Sequence, residues 1–133
     1  MSVFFEIDPS NGVPVYEQVT RQIIFAIASG VIVPGEMIPS VREQARTLAI
    51  NPNTVARAYR QLQDDKIVEA VRGSGMTVAK GATARCATIR TKLIRERVRH
   101  VIEEARRSQL SDEEISAIVS DELGATKKKQ RRR

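Results

Sequence analysis

The chain has 133 residues, of which 41% are apolar, 4% aromatic and 29% charged, a size that fits one soluble domain or a compact domain with an appendage and excludes most large catalytic architectures. The formal charge of +6 invites a polyanionic partner, but the excess is local: residues 1–80 hold eight basic and eight acidic groups, residues 81–124 again eight and eight, and residues 125–133 six basic groups and no acid. A folded body that binds polyanions must therefore do so by segregating its charges.

Residues 1–13 carry an apolar patch, Val3-Phe4-Phe5 with Ile7, then turn chemistry at Asp8-Pro9-Ser10-Asn11-Gly12, which reads as an arm leading into a helix. Pro14 suits the first turn of that helix. Val15, Val19, Ile23 and Ile27 recur at a spacing of four, Tyr16, Ile24 and Phe25 widen the apolar face, and Gly30 stops it. A short extended piece around Met37-Ile38-Pro39 follows. Ser40 and Glu43, three apart, form a capping-box signature for a second, short helix that ends near Ala49. Its Val41, Ala45 and Leu48 share one face and Arg42 and Arg46 another.

Asn51-Pro52 supplies a cap and a first-turn proline for a third helix through about residue 65. Val55, Ala58, Tyr59 and Leu62 form its inner face; Asn53, Thr54, Arg57, Arg60 and Gln61 are left outside. Two β-prone pieces, residues 67–71 and 76–79, joined by Arg72-Gly73-Ser74-Gly75, favour a hairpin. A long helix over about residues 83–107 and a last helix from the capping box Ser111/Glu114, closed by Gly124, complete the order.

A major groove about 12 Å wide admits a helix whose N-terminal residues reach base edges. Two short helices joined by a tight turn, the second bearing polar and arginine residues, meet that requirement. Asn53 can pair with adenine, Arg57 can fork onto guanine, and Thr54 can meet a thymine methyl or a phosphate. Arg42, Arg46 and Arg60 are placed for phosphates, and a hairpin tipped by Arg72 would lie along an adjacent groove or backbone. The charge distribution agrees: residues 1–39 carry one basic and four acidic groups, residues 40–80 seven and four. For Asn53 and Thr54, helix capping is an equally open role.

The stretch Pro39-Ser40-Val41-Arg42, Leu48-Ala49, Asn51-Pro52-Asn53-Thr54-Val55, Tyr59, Leu62 and Arg72-Gly73-Ser74-Gly75 resembles the winged helix-turn-helix of GntR-family bacterial transcription regulators, and Ile7-Asp8 with Pro14-Val15-Tyr16-Glu17-Gln18-Val19 resembles its N-terminus. The resemblance covers roughly residues 5–80. It implies operator contacts from Ser40, Arg42, Asn53, Thr54, Arg57 and Arg72 with Gly73. The short C-terminal extension resembles the YtrA-type branch, in which two helices pair the subunits. Two departures stand out: Lys66 occupies a position where the family usually has glycine, and Met76-Thr77 replaces the more common Thr-Phe. The basic tail is no part of the family pattern.

The expected fold is mainly α: a winged helix-turn-helix over residues 1–80, a two-helix dimerisation segment over 81–124 and a disordered basic tail over 125–133. Ile94, Val98, Val101 and Ile102 of the long helix, with Ile115, Ile118 and Val119 of the last, offer surplus apolar face that a homodimer would bury. Two-fold symmetry then matches a palindromic operator. The expected function is a sequence-specific regulator, most simply a repressor; the competing reading is a sequence-indifferent DNA- or RNA-binding module driven by the tail. The resemblance leaves room for a small-molecule effector of unidentified chemistry.

Catalysis finds no support. One histidine, His100, sits among Arg97, Arg99, Glu103 and Glu104, and one cysteine, Cys86, has no partner in the chain, so no triad, disulfide, metal site or cofactor is expected. Gly73-Ser74-Gly75 lacks the lysine and flanking context of a phosphate-binding loop. The longest nearly apolar stretch, residues 23–33, is interrupted by Ser29 and Gly30 and falls short of the roughly 20 residues that span a bilayer. With no basic, apolar leader pattern at its start, the chain is expected in the cytoplasm.

Overall fold

A computed structural model describes residues 7–73 and 75–131; the apolar patch at residues 3–5, Ser74 and the last two arginines lie outside them. The element order is helix α1 (Val15–Ala28), helix α2 (Val41–Leu48), helix α3 (Pro52–Asp64), strands β1 (Val68–Val71) and β2 (Gly75–Val78), helix α4 (Ala82–Arg107) and helix α5 (Asp112–Arg131). The chain divides into two compact units after Lys92.

Entry into α1 is set by one buried amide. Gln18 accepts from the Asp8 N–H at 2.9 Å and donates to the carbonyls of Asp8 at 2.8 Å and Val13 at 2.9 Å. The turn it gathers is itself built from side chains closing onto the backbone: the Ser10 N–H donates to Asp8 Oδ1 and the Val13 N–H to Asn11 Oδ1. The Ser10 hydroxyl and N–H on its carboxylate hold the Asp8 pKa below its ordinary value. Pro14 precedes the first turn as the cap residue rather than joining it. Its missing N–H is no loss there.

The predicted caps of α2 and α3 are in place. Ser40 Oγ accepts from the Glu43 N–H at 3.1 Å, and Asn51 Oδ1 accepts from the Asn53 N–H at 2.8 Å ahead of Pro52. Val19, Ile23 and Ile27 of α1 and Val55, Ala58, Tyr59 and Leu62 of α3 are buried together with Ala45 of α2. Truncating Ile23 or Leu62 to alanine would cost roughly 2–5 kcal/mol. Ile67, Val68 and Val78 extend this core under the hairpin, and Ala82 and Cys86 bring the first turns of α4 into it. Burial pushes the Cys86 thiol pKa up to about 11, against a smaller opposing pull from Arg85.

β1 and β2 pair antiparallel, with Val68 opposite Val78 and Val71 opposite Gly75. The extended piece expected around residues 37–39 lies on the other edge of β2: Met37 bridges Thr77, and the Ile38 N–H donates to the Met76 carbonyl at 3.0 Å. The hairpin is thus hydrogen-bonded on both sides of β2.

In the second unit the turn at residues 108–111 carries a complete capping box. The Glu114 N–H donates to Ser111 Oγ at 3.1 Å and the Ser111 N–H to Glu114 Oε1 at 3.2 Å. One expectation is corrected here. Gly124 does not close the last helix, and residues 125–131, expected to be disordered, continue α5. A glycine inside a helix costs only about 1 kcal/mol, whereas Ala125 and the lysines after it are good helix formers and their charge suits a helix C-terminus.

Candidate DNA interface

α2, the turn at residues 49–51 and α3 form the helix-turn-helix. Ala49 makes the turn by taking a left-handed conformation, φ 55°, after α2. The two helices are fixed from below by Tyr59, whose phenol donates to the Pro39 carbonyl at 2.7 Å.

On the outer side Gln61 donates to Asp65 Oδ2 at 3.1 Å and Ser40 is engaged in its cap. Because Asn51 caps α3, neither Asn53 nor Thr54 is needed for that task, and the Asn53 side chain is exposed. Arg42, Arg46, Arg60 and Arg72 are exposed and, among the described residues, make no ion pair. Ser40 stands at the N-terminus of α2, where unpaired backbone N–H groups and the helix dipole favour a phosphate. At the hairpin tip Gly73 has φ 78° and open space where a Cβ would be, so its requirement is conformational rather than steric.

Arg57 differs from the other arginines. Its Cζ lies 3.8 Å from the centroid of the Tyr16 ring, a cation–π contact that joins the outer face of α3 to the start of α1. Tyr16 counted in the sequence only as apolar surface on α1. No local spacing could have paired positions so far apart in the chain.

The residues of the second unit expected to pair subunits are mostly uncovered. Ile94 (44% exposed), Val98 (48%), Val101 (63%), Ile118 (52%) and Val119 (47%) are open, and Ile102 and Ile115 are half-buried. Within that unit a groove of about 550 Å³ is lined by Val98, Val101, Ile102, Ile115, Ile118 and Val119 among others.

Residues 15–78 match the model of the family of bacterial regulatory proteins called gntR. The HTH-type transcriptional repressor YtrA of Bacillus subtilis is 35% identical over 100 residues, which are 75% of this chain and 77% of that protein. The chain belongs to the GntR family. A GntR family transcriptional regulator from Listeria monocytogenes superposes with a TM-score of 0.66 at 29% identity, over 84% of this chain and 97% of that one. YtrA from Sulfolobus acidocaldarius, a GntR-family transcription factor, does so with a TM-score of 0.57 at 32% identity, over 73% and 99%. The protein is accordingly a DNA-binding transcription regulator with a winged helix, and not an enzyme.

The two departures from the GntR pattern have structural readings. Lys66 has φ 60°, the left-handed region that glycine enters without a Cβ penalty and other residues only at a cost. Its carbonyl accepts from Arg85 Nη2 at 2.6 Å. Met76 packs half-buried against the core and Thr77 faces Met37 across the bridge, so the substituted pair still joins the wing to the body. Among the described residues no group of three or more His, Cys, Asp or Glu could hold a metal ion, and no helix is long and apolar enough to cross a membrane.

Proposed function

We propose that this GntR regulator is a repressor that binds a palindromic operator as a homodimer in the cytoplasm. The observation that carries the reading is the outer face of the helix-turn-helix: Asn53 and Thr54 released from capping by Asn51, beside arginines that make no ion pair among the described residues. In this reading α3 lies in the major groove with Asn53, Thr54 and Arg57 at base edges. Ser40, Arg42, Arg46 and Arg60 hold phosphates, and Arg72 with Gly73 brings the wing to the adjacent backbone or groove. Occupying promoter DNA is sufficient for repression.

The second unit supports the dimer. Its open apolar residues, Val98, Val101, Ile118, Val119 and Leu123, are gathered on two neighbouring helices, the kind of exposed apolar surface that marks a protein–protein contact. Residues 81–124 are thus the pairing segment. A two-fold pair of reading helices demands half-sites about 34–36 Å apart, one turn of duplex.

Selecting bound fragments from random duplex DNA tests the reading directly. A palindrome with half-sites one turn apart is the expected product. Fragments sharing no sequence would instead favour the sequence-indifferent module, for which six basic residues at the chain end supply the attraction.

A further inference from the structure

We infer that Tyr16 is a positioning residue for base recognition, acting through Arg57; the inference rests on the reading of Arg57 as a base-contacting side chain. The geometry carries it. With Cζ 3.8 Å from the ring centroid, a guanidinium pointing one nitrogen at the ring would bring that atom about 1.3 Å closer than Cζ, inside van der Waals contact. The guanidinium carbon lies over the ring face at a separation suited to stacking. Stacking then uses a face of the guanidinium and leaves its edge, where all five N–H donors lie, free for the O6 and N7 of guanine.

The ring is itself held. Tyr16 is half-buried, its hydroxyl donates to Glu17 Oε1 at 3.1 Å, and Glu17 Oε2 lies 3.8 Å from Arg21 Nη2. α1 and α3 share one core, through Val19, Ile23 and Ile27 on one side and Val55, Ala58 and Leu62 on the other, so the ring and the base of the Arg57 side chain keep a fixed separation. Among the described residues no carboxylate pairs with Arg57. Tyr16 therefore restricts the rotamers of a long, exposed side chain before DNA arrives without consuming its hydrogen bonds. Pre-ordering of this kind lowers the entropy lost on binding. It also favours the one base whose edge accepts a fork from that direction.

The test uses the full chain on duplexes selected by the wild-type protein, with single-base-pair variants of each and a random duplex as reference. Arg57→Ala identifies the base pair that Arg57 reads. Tyr16→Leu is expected to weaken preference at that same pair by about 2- to 5-fold per half-site, Tyr16→Phe to keep it, and Tyr16→Leu to have no further effect in an Arg57→Ala background. Arg57→Lys, which keeps the charge but not the planar fork, is expected to lose the preference and retain affinity for random DNA. In the free protein, the Arg57 Hε resonance should lie upfield through the ring current and return in Tyr16→Leu, with thermal unfolding confirming that each variant is folded. Should Tyr16→Leu prove unfolded, Tyr16→Met, which keeps bulk without an aromatic ring, takes its place in each measurement. Equal losses on selected and random duplexes, or additive effects of the two substitutions, overturn the inference. If Arg57→Ala erases a preference that Tyr16→Leu keeps, the Tyr16 role alone fails; if Arg57→Ala changes no preference, the base-reading role of Arg57 fails and this inference with it.

Discussion

The phenol of Tyr59 donates a 2.7 Å hydrogen bond to the carbonyl of Pro39, tying the middle of α3 to the residue immediately before the cap of α2. Two consequences combine at that bond: it satisfies the hydroxyl of a tyrosine that is 2% exposed as a residue, and it sets where Ser40 stands relative to the reading helix. Tyr59→Phe should therefore cost about 1–2 kcal/mol in urea unfolding, the penalty of leaving a carbonyl without its donor. Its affinity for the selected duplex should fall as well, because Ser40 and α2 lose their anchor.

Alkaline pH should destabilise the protein. Burial, with the Glu43 charge as a smaller cause, raises the Tyr59 pKa above its ordinary value of 10.0, and burial raises Cys86 from 9.0 to about 11. Each group is held neutral in the fold and ionises more readily in the unfolded chain. Their stabilising contributions are complete below pH 9 and are lost as pH climbs through 9 to 11 for the thiol and beyond 10 for the phenol. Unfolding free energy measured against pH should fall across that range, less steeply in Cys86→Ala. At pH 8 the native thiol should react with alkylating reagents far more slowly than in denaturant.

Lys66→Gly should stabilise the fold. The left-handed backbone at φ 60° costs a lysine about 1–2 kcal/mol, of which glycine recovers part and returns part through its freer unfolded state. A rise in melting temperature corresponding to about 0.5–1 kcal/mol is expected. A fall would mean that the lysine side chain contributes more than its backbone costs.

Truncation should separate the two units. Cutting after Lys92 keeps Ala82 and Cys86, both 0% exposed, and should leave a folded monomer by sedimentation with weak operator affinity. Cutting after Lys80 removes both residues from the core, so that fragment should be less stable by several kcal/mol. A stable dimer of residues 1–92 would move the pairing surface out of the second unit.

Deleting residues 125–133 should lower affinity by a similar factor on selected and random duplexes and reduce the dependence of log K on log salt, because phosphate contacts by lysine and arginine carry no base information. Loss of discrimination with the tail would favour the sequence-indifferent module. The net charge of +6 then says little about the reading helix, since it belongs to those nine residues.

Local signals were sufficient for most of the architecture. Ser40, Asn51 with Pro52, Ser111 and Gly30 each act within three or four residues of themselves, and the helices begin or end beside them. The spacing of Val55, Ala58, Tyr59 and Leu62 placed the inner face of α3 because burial follows the helical repeat. Gly124 misled for the same local reason: glycine weakens a helix without the power to end one when its neighbours favour continuing. Capping and DNA contact are equally compatible with the residue types of Asn53 and Thr54, and it is Asn51 in the cap position that separates the two roles. The distant pairings needed the fold. Tyr59 with Pro39, Met37 with Thr77, and above all Tyr16 with Arg57 join positions whose approach is decided by how α1, α2, α3 and the hairpin pack on one core. The sequence by itself determined which segments would be helix, turn and wing, because those depend on short-range backbone chemistry. Only the tertiary structure decided which arginine is held in advance and by what, because that depends on the distance between two helix surfaces that no residue pattern encodes.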